Sequence, residues 1–255
     1  MSERPRLLDL FYGAGGAAMG YHRAGSEKSS CFEKKCVVCG KSCGKPTLLD
    51  LFSGAGGAAR GYQMAGFCVL GVDIEPQPRY AGCRFHQADA MEFPLDGFDV
   101  IHASPPCQRY SQINRGMGNT EKYPDLIGPV RDRLEGRMYV IENVPGAPLM
   151  QPITLCGSMF GLRTAAGWLR RHRWFELPFV VLAPACRHPR GMSIGVYGNG
   201  TNKYHRDKLG RCIRVEEQRE AMGIDWMPRK ELTQAIPPAY TEWIGKRIME
   251  RRRCD

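Results

Sequence analysis

A cysteine on a rigid turn is the residue of this sequence with the clearest capacity for covalent chemistry. Cys107 stands in the sequence SPPCQ at positions 104–108, directly after an apolar run. The two prolines fix the backbone and present the thiol in a defined orientation. A thiol attacks as its thiolate, which nearby positive charge favours, and Arg109, Arg171 and Arg173 are the candidates for that charge. Taken alone, the pattern also fits an inert buried cysteine.

An acid and two arginines could complete such a site. Glu142 lies at the end of another apolar run, in the sequence ENV at positions 142–144. A carboxyl group held in a dry pocket can stay protonated and donate a hydrogen bond. Arg171 and Arg173 lie two positions apart, and therefore on the same side of an extended segment, where they suit a phosphate or a base carbonyl.

A glycine-rich turn predicts a cofactor site. The sequence FSGAGG at positions 52–57 follows an apolar run and precedes a predicted helix. Such a turn brings backbone N–H groups close to a ligand, and Asp73, about 20 residues later, suits the ribose hydroxyls of an adenosine cofactor. Asp50 suits a positively charged group, which favours S-adenosylmethionine over NAD, whose sites carry a different glycine spacing. Asp89 could accept a hydrogen bond from an adenine amino group. The alternative is a tight turn without a ligand.

Four of the eleven cysteines are close together near the start of the chain. Cys31, Cys36, Cys39 and Cys43 have the spacing C-x4-C-x2-C-x3-C. Four thiolates in a short stretch can hold a structural zinc ion, so we predict such a site here. A flexible thiol-rich linker is the alternative.

Alternating strands and helices must position these groups. The predicted strands are 47–52, 68–74, 98–103 and 138–144, and the predicted helices include 58–65, 215–222 and 239–251. This alternation predicts an α/β fold, a mostly parallel sheet with helices on both faces. In such sheets ligands bind at the carboxyl ends of the strands, where the candidate groups lie.

The glycine motif occurs twice, which sets the predicted domain organisation. The sequence LLDLFYGAGG at 7–16 recurs as LLDLFSGAGG at 48–57, but only the second copy continues into an apolar run. We predict an N-terminal extension over 1–46, a catalytic core over 47–175, a short target-recognition region over 176–212 and C-terminal helices that complete the core over 213–255.

Charge and composition narrow the class of partner. The formal net charge of +10 and the pI of about 9.2 favour a polyanion such as nucleic acid. No apolar run is long enough to span a membrane. Without a secretory pattern, the cysteines are expected to be reduced thiols of a cytoplasmic protein.

The motifs and their order resemble those of the DNA (cytosine-5) methyltransferase family of the bacterial and phage type. The resemblance covers about residues 47–250 and is most specific at Cys107 and Glu142. The other segments that carry it are 51–57, 72–74, Asp89, 171–173, 214–223 and 235–240.

The resemblance implies methyl transfer from S-adenosylmethionine to C5 of a cytosine flipped out of double-stranded DNA. Cys107 would bond to C6, Glu142 would hold N3 and the amino group, and Arg173 would bind O2, with Arg171 in the same catalytic set. The segment 110–119 would close over the base. The implied cofactor-binding residues are Phe52, Ser53, Gly54, Ala55, Gly56, Gly57, Asp73, Ile74, Asp89, Ala90, Pro106, Gln234 and Ala235. We also expect a monomer, with a cognate restriction endonuclease as a partner.

Three departures from the family pattern and three rival functions stay open, and the duplicated glycine motif at 7–16 is one of the departures. Gln234 stands where the family has Asn, and the recognition region is short, which predicts a short or relaxed recognition site. An RNA cytosine-5 methyltransferase is the nearest rival, although those enzymes generally carry the attacking cysteine in the later motif, where this chain has ENV. One DNA-like branch acts on transfer RNA. A non-catalytic DNA-binding module and a nicotinamide dehydrogenase are the remaining alternatives.

Overall fold

The computed structural model describes residues 35–111, 116, 118, 120–197 and 210–253. Three sequence predictions lie wholly or largely outside these residues: the first glycine motif at 7–16, the ligand Cys31 and the closing segment 110–119. Among the helices that the structure describes, none combines the length and the apolar character needed to cross a bilayer.

Ten strands and five α-helices make up the described part of the chain. The strands are β1 Thr47–Leu51, β2 Cys68–Asp73, β3 Arg84–Gln87, β4 Val100–Ala103, β5 Tyr139–Asn143, β6 Ile153–Leu155, β7 Arg163–Thr164, β8 Gly167–Leu169, β9 Arg173–Glu176 and β10 Ser193–Ile194. The helices are α1 Gly57–Met64, α2 Ile127–Arg133, α3 Val215–Met222, α4 Arg229–Leu232 and α5 Pro238–Arg251, with a short 3-10 helix at Gly157–Phe160.

The main sheet has seven strands in the order β3-β2-β1-β4-β5-β9-β6. The first five pair in parallel, and β9 runs antiparallel to both β5 and β6. This arrangement confirms the predicted mostly parallel α/β sheet.

Alternate residues of the buried strands serve two separate apolar cores, as the two-residue period of a strand requires. One face of the sheet packs with α1 and α5 and carries Leu48, Val69, Val100 and Val140. The opposite face packs with Val130 of α2 and carries Leu49, Leu70, Ile101 and Ile141. Helices therefore cover both faces.

The C-terminal helix α5 lies directly on α1 through a contact that only glycine allows. A Cβ atom at Gly61 would lie 2.1 Å from the carbonyl oxygen of Pro238 and 2.1 Å from Oγ1 of Thr241. The Thr241 hydroxyl donates a hydrogen bond of 2.9 Å to the carbonyl of Ala58. This close packing carries the segment before α5 onto the glycine turn.

A second, three-stranded sheet of order β10-β8-β7 joins residues on both sides of the predicted core boundary. Glu176, which the sequence prediction put in the recognition region, is the last residue of β9. Its buried carboxylate accepts two hydrogen bonds of 2.7 Å from Arg131 and one from the backbone of Met150. This pairing holds β9 in the main sheet, and the irregular segment begins only after it.

Candidate active site

The strand order reverses at β1, which has β2 on one side and β4 on the other. Ligands of open α/β sheets bind in the crevice at such a point. Backbone hydrogen bonds tie the loops together there. Ser53 donates to the carbonyl of Val72 over 3.1 Å, and Ser104 donates to that of Leu51 over 3.2 Å. The glycine turn and the cysteine turn therefore share one edge of the sheet.

Asp73 and a close backbone contact shape the glycine turn. The carboxylate of Asp73 accepts a hydrogen bond from the backbone N–H of Gly54 over 2.9 Å and another from Glu75 over 3.0 Å. Phe52 has a φ of 58°, an uncommon conformation for a residue with a side chain. A Cβ atom at Gly57 would lie 2.5 Å from the carbonyl oxygen of Ile236, so the turn and the segment before α5 fit only with glycine there.

A first cavity, which we call the donor cavity, has a volume of about 310 Å³ and opens between the glycine turn, the cysteine turn and the segment before α5. Of the predicted cofactor residues, it is lined by Phe52, Ser53, Gly54, Ala55, Gly57, Asp73, Ile74, Pro106, Gln234 and Ala235. Of the predicted catalytic residues, it is lined by Cys107, Glu142 and Arg173.

Three predicted cofactor residues lie away from this lining. Gly56 precedes α1 with a φ of 82° and ends the glycine turn. Asp89 is exposed and accepts a hydrogen bond of 2.8 Å from the backbone of Met91. Ala90 is buried, and its carbonyl accepts a hydrogen bond of 2.8 Å from Arg133.

Asp50 provides the strongest indication of what the donor cavity binds. It lines the cavity and is 1% exposed, and among the described residues no side chain donates a hydrogen bond to its carboxylate or balances its charge, while the backbone N–H of Ala59 lowers its pKa. Burial, reinforced by the negative charge of Asp73, raises the pKa of Asp50 well above its ordinary value. A buried unpaired acid is costly, and a cationic ligand would satisfy it. The residues present therefore fit a ligand with an amino or sulfonium group.

Asn143 positions the cysteine turn, a role that the sequence analysis did not assign. Its side chain is fully buried and donates a hydrogen bond of 2.9 Å to the carbonyl of Pro105. Its amide oxygen accepts one of 2.9 Å from the backbone of Val144. The turn is completed by the N–H of Tyr110, which donates to the carbonyl of Cys107 over 3.0 Å.

Glu142 and Arg173 form a buried ion pair beside the cysteine. The Nε atom of Arg173 lies 2.9 Å from Oε1 of Glu142, and the two side chains are 9% and 8% exposed. Burial raises the pKa of Glu142, and the positive charge of Arg173 opposes this effect. The acid can therefore take up a proton more easily than an exposed glutamate.

A chain of hydrogen-bonded side chains connects Tyr62, through His102 and Ser104, to Glu142. The hydroxyl of Tyr62 lies 3.0 Å from Nδ1 of His102, and Nε2 of His102 lies 2.8 Å from Oγ of Ser104. Burial lowers the pKa of His102 to about 3, so this ring is neutral. With Tyr62 donating to Nδ1, His102 donates to Ser104, whose hydroxyl is then free to donate to Glu142. Nothing in the sequence pattern singled out His102.

Burial has the largest effect on the protonation state of the candidate nucleophile, the Cys107 thiol. It raises the pKa of the Cys107 thiol, while Arg173 lowers it and Glu142 raises it further. Of the positive charges expected from the sequence, Arg173 and, to a smaller extent, Arg171 lower the pKa of the thiol, but desolvation outweighs them. Arg109 instead donates to the carbonyl of Tyr123.

Arg171 lies apart from the cavity groups. It is fully buried, and its guanidinium donates to the backbone carbonyls of Val196, Thr233 and Ala235. Burial lowers the pKa of Arg171 to about 9. Its contacts join the second sheet to the segment that lines the donor cavity.

A second cavity, which we call the substrate cavity, has a volume of about 790 Å³ and opens at the cysteine turn. Cys107 and Arg173 line it as well as the donor cavity. Its other lining residues include Arg170, Trp174 and Tyr197. The thiol and the guanidinium therefore stand between an acidic cavity and a larger cavity with basic and aromatic walls.

The cysteine cluster gathers a ligand that the spacing did not reveal. The sulfur atoms of Cys36, Cys39, Cys43 and Cys68 all lie within 4.8 Å of one another. Cys68 is the first residue of β2. The predicted ligand Cys31 lies outside the described residues.

The sheet topology is that of the Rossmann-like fold of S-adenosylmethionine-dependent methyltransferases. Residues 47–149 match the model of the C-5 cytosine-specific DNA methylase family. Among curated protein sequences, no relative matches the chain.

Several solved structures are similar in fold. The Dnmt2 methyltransferase of S. pombe is 13% identical with a TM-score of 0.53, and the match covers 81% of this chain and 99% of that one. A DNMT2 variant of Spodoptera frugiperda is 13% identical with a TM-score of 0.50, covering 80% and 99%. A prophage-encoded E. coli chain, described as a DNA modification methyltransferase, is 15% identical with a TM-score of 0.48, covering 80% and 99%. At these identities the likeness shows the fold alone.

Proposed function

We propose that this protein transfers a methyl group from S-adenosylmethionine to C5 of cytosine in double-stranded DNA, through a covalent bond between Cys107 and C6. The observation that carries the proposal is the position of Cys107 and Arg173 in the walls of both cavities. One thiol can then reach a base in the substrate cavity while the donor lies behind it. The family of residues 47–149 supports cytosine C5 as the acceptor.

The donor cavity supports the choice of S-adenosylmethionine. The unpaired carboxylate of Asp50 would bind the cationic methionine end, and Asp73, with Phe52, would face the adenosine. Gln234 and Ala235 would form the opposite wall. When bound, the donor supplies an electrophilic methyl group.

The residues around the base would activate it as follows. The thiolate of Cys107 adds to C6, and the electron pair of the C5–C6 double bond moves to C5, which then takes the methyl group. The C5 proton leaves to solvent, the C6–S bond breaks, and the aromatic ring is restored. Arg173 would bind O2 and Glu142 would hold N3 and the amino group, so both stabilise the charge that develops in the ring. Arg171 acts here as a positioning residue.

Protonation states fit these roles. Because burial raises the pKa of Glu142, a protonated carboxyl can donate a hydrogen bond to N3. Because burial also raises the pKa of Cys107, the thiol is mainly neutral before substrate binds, and it gives its proton to solvent as it attacks. Both effects need a site that excludes water.

The experiment is methyl transfer from a labelled donor to duplex DNA and, in parallel, to transfer RNA. We expect label in DNA at C5 of cytosine and a trapped adduct on Cys107 with 5-fluorocytosine DNA. Cys107→Ser should abolish turnover but keep donor affinity, whereas Cys212→Ser, at a half-buried cysteine outside both cavities, should keep both. Label in transfer RNA alone would favour the RNA alternative, and an adduct on another side chain would refute the mechanism. The monomer and the restriction endonuclease partner stay predictions.

A structural zinc ion is proposed for the cysteine cluster, with Cys68 as a ligand. The backbone around Cys36 and Cys39 forms a tight turn, in which Gly40, with a φ of 68°, donates to the carbonyl of Cys36 over 2.8 Å. Tetrahedral zinc held by four thiolates is typical of structural sites. The ion would bind residues 35–46 to the start of β2. Cys39→Ser should therefore lower the zinc content by one ion per chain.

A further inference from the structure

A second group of metal-binding side chains lies beside the substrate cavity. Its members are Cys156, which precedes the 3-10 helix, His172, which lies between Arg171 and Arg173, and Cys186 and His188, in the irregular segment after β9. We propose that these four residues hold a zinc ion that attaches the segment 177–192 to the catalytic sheet. This site is separate from the cysteine cluster near Cys36.

The distances fit one tetrahedral ion. Nε2 of His188 lies 3.1 Å from Sγ of Cys186 and 3.7 Å from Sγ of Cys156, and Nε2 of His172 lies 3.4 Å from Sγ of Cys186. All four donor atoms lie within 4.8 Å of one another. A tetrahedral zinc ion with ordinary bond lengths separates its sulfur and nitrogen ligands by about 3.6 Å. Both histidines present Nε2 to the sulfur atoms.

The donor set selects the metal. Two thiolates and two imidazoles suit zinc, whereas magnesium and calcium prefer oxygen ligands. Four protein ligands fill a tetrahedral shell, which is the arrangement of a structural rather than a catalytic ion. Successive ligands are 16, 14 and 2 positions apart in sequence, so no compact sequence motif predicts this metal site. Only the turn of the chain after β9 brings them together.

The surroundings explain what the ion would do. Within 177–192, side-chain hydrogen bonds of the described residues are made through Cys186 and His188 alone. Phe179 and Ala183 pack on the core, but Val180 and Leu182 are each 88% exposed. Such a segment needs a second anchor to keep a fixed position, and a metal ion supplies it.

The site also reaches the proposed chemistry. His172 lines the substrate cavity and is the chain neighbour of Arg173, whose guanidinium donates to the carbonyl of His172 over 3.0 Å. An ion on the His172 ring would therefore fix the backbone that orients Arg173. This consequence rests on the proposed function, but the existence of the metal site does not.

Metal content of the full-length protein tests the site. With both proposed sites filled, the purified protein should contain two zinc ions per chain by mass spectrometry. Cys186→Ser and His188→Asn, at exposed positions that tolerate substitution, should each lower the content to one. Cys39→Ser should remove the other ion, and the control Cys212→Ser should keep both. Zinc content equal to that of the control in both Cys186→Ser and His188→Asn would overturn the proposal.

Cobalt and proteolysis provide independent readings. Cobalt bound to Cys39→Ser should show the visible bands of a tetrahedral site with two thiolates, and these bands should disappear in the double variant Cys39→Ser/His188→Asn. Trypsin should cut after Arg187 or Arg190 at least tenfold faster in His188→Asn than in the Cys212→Ser control. Equal cleavage rates would refute the anchoring role. Methyl-transfer activity enters neither measurement, so the metal site and the proposed reaction can fail separately.

Discussion

The buried pair of Glu142 and Arg173 allows its structural and chemical roles to be separated by a double-mutant cycle. Arg173→Met removes the cation but keeps the volume of an apolar side chain, and it leaves the Glu142 carboxylate buried without its partner. Glu142→Gln in the same protein removes that charge. The double variant should therefore be more stable than Arg173→Met alone, although it lacks two catalytic groups.

The size of the expected stability loss follows from the burial of Arg173 and Glu142, whose side chains are 9% and 8% exposed. Removing one member of a buried ion pair costs about 3–5 kcal/mol, whereas replacing both members by uncharged groups is often close to neutral. We therefore expect Arg173→Met to lower the free energy of unfolding by about 3–5 kcal/mol near neutral pH. The double variant should recover most of this loss.

The stability of Arg173→Met should also depend on pH, and the direction of that dependence follows from the pKa of Glu142. Without Arg173, nothing opposes the effect of burial, so the folded-state pKa of Glu142 rises further above its ordinary value near 4.5. A raised acid pKa means that the folded state holds the proton more tightly than the unfolded state. The stability of Arg173→Met should therefore fall as pH rises from about 4.5 towards the folded-state pKa, and level off above it. Variants that carry Glu142→Gln should lack this slope.

Urea unfolding followed by tryptophan fluorescence at several pH values measures both quantities, and a donor-analogue titration checks that the fold is kept. The reasoning would be refuted if Arg173→Met and the double variant lost equal stability with equal pH dependence. Restored methyl transfer in the double variant would contradict the catalytic role of the pair.

Three further predictions concern the thiol and the donor cavity. Because burial raises the pKa of Cys107, the single-turnover rate should rise up to tenfold per pH unit between about pH 6 and 8; a flat profile would show that thiolate formation is not limiting. Gly57→Ala forces a Cβ to 2.5 Å from the carbonyl oxygen of Ile236, so it should lower the free energy of unfolding by about 1–3 kcal/mol. It should also weaken the binding of S-adenosylhomocysteine, measured by calorimetry, at least tenfold. In the control Gly128→Ala the added Cβ meets no atom within 4 Å, so the affinity should not change. Asp50→Asn should raise the melting temperature of the ligand-free protein, because it removes a buried acid whose ionisation is unfavourable, yet it should weaken donor binding about tenfold or more. A melting temperature and a donor affinity that both rise, or both fall, would argue against a cationic ligand.

Local sequence patterns predicted helices and strands well where the burial of an apolar run was the dominant effect. The helix over 215–222 has the predicted bounds, and the predicted strands 68–74, 98–103 and 138–144 differ from β2, β4 and β5 by one or two residues at their ends. These segments are apolar runs between clear breaks, so burial alone defines them. The strands after position 150 were not predicted, because they are two to four residues long and all but the β7–β8 hairpin pair with strands that are not adjacent in sequence.

The residues of the candidate site also fall into those that a local sequence signal predicts and those that it does not. Cys107, Glu142 and the glycine turn carry signals within a few neighbouring residues, and the structure lines one cavity with all of them. Asn143 and His102 act through hydrogen bonds to groups that their own sequence neighbourhood does not identify. Arg171 and Arg173 look equivalent in the sequence, yet Arg171 donates to backbone carbonyls, whereas Arg173 lines both cavities together with Cys107.

The sequence by itself determined the alternation of strands and helices, the turn that presents Cys107 and the acids around the glycine loop, because each depends on residues that are adjacent in the chain. Tertiary structure alone decided which groups meet. It brought Cys68 to the cysteine cluster, His188 to Cys156, and the segment before α5 to within contact of Gly57. The physical reason is that a contact between distant residues depends on how the sheet and its loops pack, and no local spacing encodes that packing.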